Sequence, residues 1–307
     1  MIHSFGEVTM SNDHKNENDE PKPVDIGRRD FVAISVAGFA ISAAWAEPAG
    51  LDVAETNVNI KTPDGTCDAA FIYPKTGSYP GILIWTDAFG LRPAFRDMAK
   101  RLAAEGYSVL VPNPFYRVAK APVFTDVASF NFQNQADRAK LTPLMGSVNA
   151  AGAAEKDAAA YISFLDSQKQ VDTKKKIGTQ GYCMGGPLIV RTAAAVSNRV
   201  GAAASFHGGG LVTDNPNSPH LLAPKIKARM YFGIAANDDK QQPDAKDKLK
   251  ESFAAAKVPA EIEVYSQSQH GWCVSDMPAQ NGNPIYNKAD AERAWGKLLA
   301  LYKAGLG

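Results

Sequence analysis

Cys183 lies in a short sequence whose residue types and spacing predict a nucleophile. Residues 181–186 read Gly-Tyr-Cys-Met-Gly-Gly and come at the end of a predicted strand at 177–181. Small residues two positions before and after a nucleophile permit a sharp strand-to-helix turn. The thiol then lies at a helix N-terminus, where unpaired N–H groups favour a thiolate. The alternative is a buried cysteine beside a glycine-rich turn. A phosphate-binding loop is disfavoured, because this segment lacks both the Gly-x-Gly-x-x-Gly pattern and the Lys-Ser/Thr pair that such loops carry.

A cysteine nucleophile of this kind needs a histidine base and an acid that orients it. His270 follows the last predicted strand. When the nucleophile lies in a strand–turn–helix motif of this type, the catalytic histidine comes last in the chain order, at this position. His207 precedes every candidate acid, so we interpret it as a substrate-pocket residue or a satisfied polar group. The acid is expected after the strand that ends at Phe232, where Asp238 and Asp239 are neighbours. We favour Asp238 and keep Asp239 as the alternative.

Attack on a carbonyl also requires two N–H donors for the oxyanion. The turn geometry predicts one donor on Met184, directly after the nucleophile, and the other in the loop after residues 81–85, at Ala88. The predicted chemistry is acyl transfer to Cys183 followed by hydrolysis.

Strands and helices alternate along the chain and predict an α/β fold with a mostly parallel sheet and helices on both faces. An opening antiparallel pair is expected at residues 58–60 and 67–73, around a Pro-Asp-Gly turn signal. Residues 112–147 contain four prolines and are expected to be irregular, with short helices over a cleft. The other predicted strands are 81–85, 107–111, 177–181, 200–206, 228–232 and 261–265; the other helices are 93–105, 150–166, 184–197, 243–256 and 288–303.

Residues 1–46 differ in composition from the rest of the chain. A polar stretch leads to Arg28 and Arg29, an uncharged apolar run of about 15 residues, and Ala-Trp-Ala at 44–46. The pattern predicts a twin-arginine-like export signal, cleaved to leave one domain at 47–307 in the periplasm. The run is too short for stable membrane insertion. The alternatives are an N-terminal anchor or a cytoplasmic protein; Met10 is a second candidate start.

Charge and cysteine content restrict the partners. The chain has 33 basic and 32 acidic residues, a net charge of +1, which gives no basic excess for binding a nucleic acid.

The chain has three cysteines, so at least one is unpaired within a chain. Whether Cys67 and Cys273 form a disulfide is left open by the sequence. A thiol redox protein is disfavoured because no Cys-x-x-Cys is present.

Four segments resemble the dienelactone hydrolase family, in family order, and the resemblance covers about residues 55–305. They are Trp-Thr-Asp-Ala-Phe-Gly-Leu at 85–91, Arg-Leu-Ala-Ala-Glu-Gly-Tyr at 101–107, the cysteine sequence at 181–186, and His-Gly-Trp at 270–272. The resemblance implies the α/β-hydrolase fold, no cofactor or metal, and hydrolysis of a small ester or lactone through an acyl-cysteine. A monomer or small homo-oligomer is expected. The alternative is a non-enzymatic binding protein on the same fold.

The sequence departs from the family at two positions. Asp87 stands where the family carries a glutamate that contacts the resting thiol, and Val274 stands where it carries an arginine that binds the substrate carboxylate. Neutral substrates are therefore expected over anionic ones, unless another cation such as Arg117 replaces the arginine. His207 and Trp272 complete the candidate substrate contacts.

Overall fold

The computed structural model describes residues 50–280 and 282–307. Eight strands form one sheet in the order β1-β2-β4-β3-β5-β6-β7-β8. The first two contacts, β1 with β2 and β2 with β4, are antiparallel, and all later contacts are parallel. The strands are β1 Val53–Thr62, β2 Gly65–Pro74, β3 Gly81–Trp85, β4 Ser108–Pro112, β5 Ile177–Tyr182, β6 Val200–Phe206, β7 Arg229–Ala235 and β8 Ala260–Tyr265.

Helices connect the parallel strands, and a last helix, α7, follows the final strand. They are α1 Pro93–Ala104, α2 Gln135–Asn149, α3 Ala153–Asp166, α4 Gly185–Ala195, α5 Ala236–Gln241, α6 Ala245–Ala255 and α7 Lys288–Gly305, with a 3-10 helix at Pro219–Lys225.

The central strand β3 shows how the sheet separates two cores. All five of its residues are buried, as expected of a strand covered on both faces. Leu83 and Trp85 belong to one apolar cluster, whereas Ile82 and Ile84 belong to the other, because successive side chains of a strand point to opposite faces. Helices α3, α4 and α6 supply the first cluster, and α1 and α7 supply the second. This is the α/β-hydrolase fold, and the predicted fold class is confirmed.

The segment between β4 and α3 is more regular than its prolines predict. Residues 135–149 form helix α2, which accommodates Pro143 in its interior. The Asn134 side chain accepts a hydrogen bond from the Ala136 N–H at 2.8 Å and caps the helix. The irregular part is therefore confined to residues 113–134, and in place of the short helices that were expected the segment contains one helix of 15 residues.

The three cysteines carry free thiols. Cys67 is buried in the first cluster, where the Tyr161 hydroxyl donates to its sulfur, and Cys273 packs against the second cluster. The sheet separates these two clusters, so the disulfide left open by the sequence does not form. Burial raises the pKa of the Cys67 thiol to about 12, which keeps this thiol protonated.

The predicted export signal lies outside the described residues. Among the residues that are described, no helix combines the length and apolar character needed to cross a membrane.

Candidate active site

Cys183 lies in a tight turn between β5 and α4. Its backbone φ is 52°, in the left-handed region that non-glycine residues rarely adopt. A Cβ added to Gly181 would lie 2.1 Å from the Gly185 carbonyl oxygen, and one added to Gly185 would lie 2.4 Å from the Trp85 carbonyl oxygen. The turn therefore requires glycine at both positions. It presents a partly exposed thiol at the start of α4.

His270 and Asp238 approach this turn from the ends of two other strands. The Nδ1 atom of His270 lies 2.8 Å from Oδ2 of Asp238, which is in the first turn of α5, directly after β7. The Asn237 side chain accepts a hydrogen bond from the His270 backbone N–H at 2.8 Å. Asp239 instead forms an ion pair with Lys246 at 2.7 Å. Of the two candidate acids, the structure pairs Asp238 with the histidine.

The electrostatic surroundings of His270 favour the charged imidazolium. Burial of the ring lowers its pKa, but the charge of Cys183 and hydrogen bonding to Asp238 and Cys183 outweigh this effect and raise the pKa to about 10. A histidine with this pKa stays protonated at neutral pH.

The two predicted oxyanion donors lie in loops that follow two neighbouring strands, at equivalent positions in the strand register. Trp85 of β3 pairs with Gly181 of β5, and Ala88 and Met184 each follow three residues later. Within the described part of the chain, neither backbone N–H donates a hydrogen bond to another protein group. The two groups thus meet one requirement of an oxyanion hole, donors that are not already bound to protein oxygens.

Asp87 faces a buried arginine and makes no hydrogen bond to Cys183 in the described structure. Arg92 donates to both of its carboxylate oxygens, at 2.6 and 2.9 Å, and the Phe89 N–H donates to one of them at 2.9 Å. The contact with the resting thiol that the family resemblance implied is absent, because Arg92 binds this carboxylate instead.

Arg92 also joins the Ala88 loop to the loop after His270. Its guanidinium makes two hydrogen bonds of 2.8 Å to Asp276, and its side chain is almost completely buried. Sequence reasoning did not identify Arg92. Its position five residues after Asp87 follows no helical or strand period, so no pattern indicated the pair.

His207 lies beneath the nucleophile, at the end of β6. It is fully buried, and its Nδ1 accepts a hydrogen bond from the Cys183 backbone N–H at 3.1 Å. Its ring centroid is 4.9 Å from that of His270. Burial and the charge of His270 hold the pKa of His207 well below its usual value. His207 therefore supports Cys183 as a neutral ring, and it has no exposed surface for a substrate.

Three other residues that the sequence analysis considered for the substrate site are buried or bound to carboxylates. Trp272 is fully buried, with its ring stacked on Tyr265 at 4.7 Å. Val274 is fully buried in the second apolar cluster, so it does not line a pocket. Arg117 binds Asp157 at 2.7 Å and Asp64 at 2.8 Å, so its charge is already neutralised. The structure therefore gives no support to a substrate contact by Trp272 or to Arg117 as the replacement cation, and the expectation that position 274 lines the pocket is wrong.

Two cavities flank the catalytic elements. The histidine-side pocket, of about 530 Å³, is lined by His270, Asn237, residues 128–133 and residues near Met277. The second pocket lies beside the tight turn, or elbow, that carries Cys183, and we call it the elbow-side pocket. It has a volume of about 840 Å³ and is lined by Met184, Pro187, Gly209 and polar residues that include Arg191. One cavity therefore lies beside the histidine and a separate one beside the nucleophile turn. In the described residues, no group of three or more His, Cys, Asp or Glu side chains is arranged to hold a metal.

Comparison with known proteins identifies the family of this chain. A sequence profile of the Dienelactone hydrolase family matches residues 67–306. The carboxymethylenebutenolidase of Rhodococcus opacus is 28% identical over 216 residues, which cover 69% of this chain and 78% of that protein.

Two solved structures share the fold. A dienelactone hydrolase-like promiscuous phosphotriesterase from metagenomic libraries has a TM-score of 0.65 at 22% identity, covering 83% of this chain and 99% of that one. The dienelactone hydrolase of Anabaena variabilis has a TM-score of 0.55 at 13% identity, with the same coverage. The profile match extends over most of the chain, and the chain belongs to the dienelactone hydrolase family of hydrolases.

Proposed function

We propose that this hydrolase cleaves a carboxylic ester or lactone through an acyl-cysteine intermediate on Cys183. The observation that carries the proposal is geometric: Cys183 lies in a left-handed turn at the start of α4, and the neighbouring His270 is bound through Nδ1 to the carboxylate of Asp238 at 2.8 Å. The raised pKa of His270 supports it. A protonated imidazole beside a cysteine provides both the nucleophilic thiolate and the proton for the departing group.

In the first half of the reaction, the Cys183 thiolate attacks the carbonyl carbon and a C–S bond forms. The N–H groups of Met184 and Ala88 stabilise the negative oxygen of the tetrahedral intermediate. When this intermediate collapses, the C–O bond breaks and the departing oxygen takes the proton from His270. In a lactone, the departing oxygen stays tethered to the acyl group.

In the second half, neutral His270 removes a proton from water as the water oxygen attacks the thioester carbon. Collapse of the second intermediate breaks the C–S bond and releases the carboxylic acid. The thiolate and the imidazolium are thereby restored. Asp238 holds the ring in one orientation and stabilises its charge in both halves.

Kinetics with a panel of small esters and lactones test the proposal. We expect Cys183→Ala to abolish turnover while the protein stays folded, and Asp238→Asn to lower kcat by about 10³-fold or more. The matched control is Asp239→Asn, which alters a neighbouring carboxylate bound to Lys246 and should stay close to wild type. Turnover by Cys183→Ala within about tenfold of wild type would refute the proposal.

A further inference from the structure

The histidine-side pocket is lined by apolar and neutral polar side chains, with His270 as its one ionisable group among the described residues. Its apolar lining comes from Phe130, Phe132, Met277, Pro278 and Ile285. The polar side chains that line it are neutral serine, asparagine and glutamine groups, and its described lining contains no lysine, arginine, aspartate or glutamate. Such a pocket binds a neutral apolar group and penalises a buried charge.

Four phenylalanines form an edge-to-face cluster that ends at this pocket. The Phe89 ring centroid lies 5.0 Å from that of Phe130, and the Phe130 and Phe132 centroids lie 4.9 Å apart, all in T-shaped geometry. Phe124 packs against Phe89 at 5.4 Å. Phe130 is only 6% exposed, whereas Phe132 is 41% exposed at the pocket. A ligand ring beside Phe132 would extend the cluster and cover this exposed apolar surface.

Three arginines on the segments around the site are bound to carboxylates, whereas Arg138 donates to the Phe132 backbone carbonyl oxygen at 2.7 Å and is not among the residues that line the pocket. Arg92 is buried between Asp87 and Asp276, and Arg117 is held by Asp64 and Asp157. Arg191 binds Glu155 and lines the elbow-side pocket instead. Apart from the His270 imidazolium, which is bound to Asp238, the described residues that line the histidine-side pocket offer no cation to a substrate carboxylate.

The position of His270 indicates which part of the substrate occupies this pocket. In the proposed reaction, His270 gives its proton to the departing oxygen, so the substrate group nearest His270 is the departing one. We propose that the histidine-side pocket binds this departing group as a neutral, aryl-bearing alcohol, so that the enzyme prefers aryl-bearing neutral esters to carboxylated ones. This inference rests on the proposed function, because it uses His270 as the proton donor.

A matched set of acetates tests the inference. Benzyl acetate, para-carboxybenzyl acetate and methyl acetate have alcohols of similar acidity, so their intrinsic reactivities are comparable. We expect kcat/KM for benzyl acetate to exceed that for each of the other two by about tenfold or more. Equal or greater efficiency for para-carboxybenzyl acetate would overturn the inference while leaving the proposed function intact.

Variants of Phe132 localise the preference. Phe132→Ala should lower kcat/KM for benzyl acetate by about tenfold, and by more than it lowers the value for methyl acetate. Phe132→Lys should raise the ratio of carboxybenzyl to benzyl turnover. Leu221→Ala is the matched control, since Leu221 is also a large exposed apolar residue, 51% exposed, and lies outside this pocket. An unchanged benzyl preference in Phe132→Ala would refute the placement of the ring.

Binding separates failure of this inference from failure of the proposed function. Ligand-observed NMR with Cys183→Ala should detect benzyl alcohol but not para-(hydroxymethyl)benzoate, and the benzyl alcohol signal should weaken when Phe132→Ala is added. This binding result would support the pocket assignment even if the wild-type enzyme hydrolysed no ester. A lack of ester hydrolysis would refute only the proposed function. Equal binding of the two alcohols would overturn the inference.

Discussion

The backbone N–H of Cys183 donates a hydrogen bond to Nδ1 of His207 at 3.1 Å, and the same N–H donates to the Phe206 carbonyl oxygen at 3.1 Å. A buried imidazole thus helps to hold the nucleophile in its left-handed backbone conformation. Because Nδ1 is the acceptor, the proton of the neutral ring lies on Nε2, which has no hydrogen-bond partner within the described structure.

His207→Asn should preserve this support, because the asparagine side-chain oxygen can accept the same hydrogen bond, whereas His207→Leu removes it. We expect kcat to fall by about tenfold or more in His207→Leu and by less in His207→Asn. A matching fall in both variants would show that the ring, not the acceptor, matters.

The lowered pKa of His207 also predicts a pH dependence of stability. As pH falls below about 6.5, the histidine of the unfolded chain gains a proton that the buried ring resists, so the unfolded state becomes more favourable. The free energy of unfolding of the wild type should therefore decrease between about pH 7.5 and pH 5, and this part of the decrease should be missing in His207→Asn. Urea unfolding at both pH values measures the difference; parallel decreases would contradict it.

The Arg92–Asp87 pair should contribute strongly to stability, because both side chains are buried. Arg92→Met leaves the Asp87 carboxylate buried without its partner and should reduce the free energy of unfolding by about 3–5 kcal/mol. Asp276→Asn alters the partly exposed partner of the same arginine and should cost about 1 kcal/mol or less. Urea unfolding compares the two variants; equal losses would show that the buried pair has no special role.

His270 should titrate well above the usual histidine range. The imidazolium is present at neutral pH and is lost as pH rises through about 10. Cys183→Ala should lower this pKa more than Asp238→Asn does, because the charge of Cys183 is the largest of the effects that raise it. Imidazole ¹⁵N shifts across the pH range measure the change. A wild-type midpoint near 6.5, or a larger decrease in Asp238→Asn, would contradict this arrangement.

The sequence predicts the parts of the site that depend on local backbone geometry. The turn could be predicted from Gly181, Cys183 and Gly185, because a strand–turn–helix motif depends on residues that are close together in the sequence. His270 could be predicted from the order of the strands and helices. The contacts of Arg92, Asn237 and His207 could not be predicted, because they join loops from different strands. Val274 shows the converse error: its spacing from His270 matches the family arginine, but tertiary packing buries it in the second apolar cluster.

The N-terminal segment gives a prediction that is independent of the site. We propose that residues 1–46 direct export through Arg28 and Arg29. Replacing both arginines by lysine should leave the uncleaved precursor inside the cell, as immunoblots of cell fractions would show. Normal export of a mature chain that begins at Glu47, despite both replacements, would argue against a twin-arginine signal.

Intact-protein mass spectrometry of the enzyme during turnover of a slow ester tests the central claim most directly. We predict a mass increase of one acyl group that peptide mapping assigns to Cys183, that hydroxylamine removes, and that is lost in Cys183→Ala but retained in Cys273→Ala. Ester turnover with no acyl group on Cys183, or with the acyl group on another residue, would contradict the acyl-cysteine mechanism.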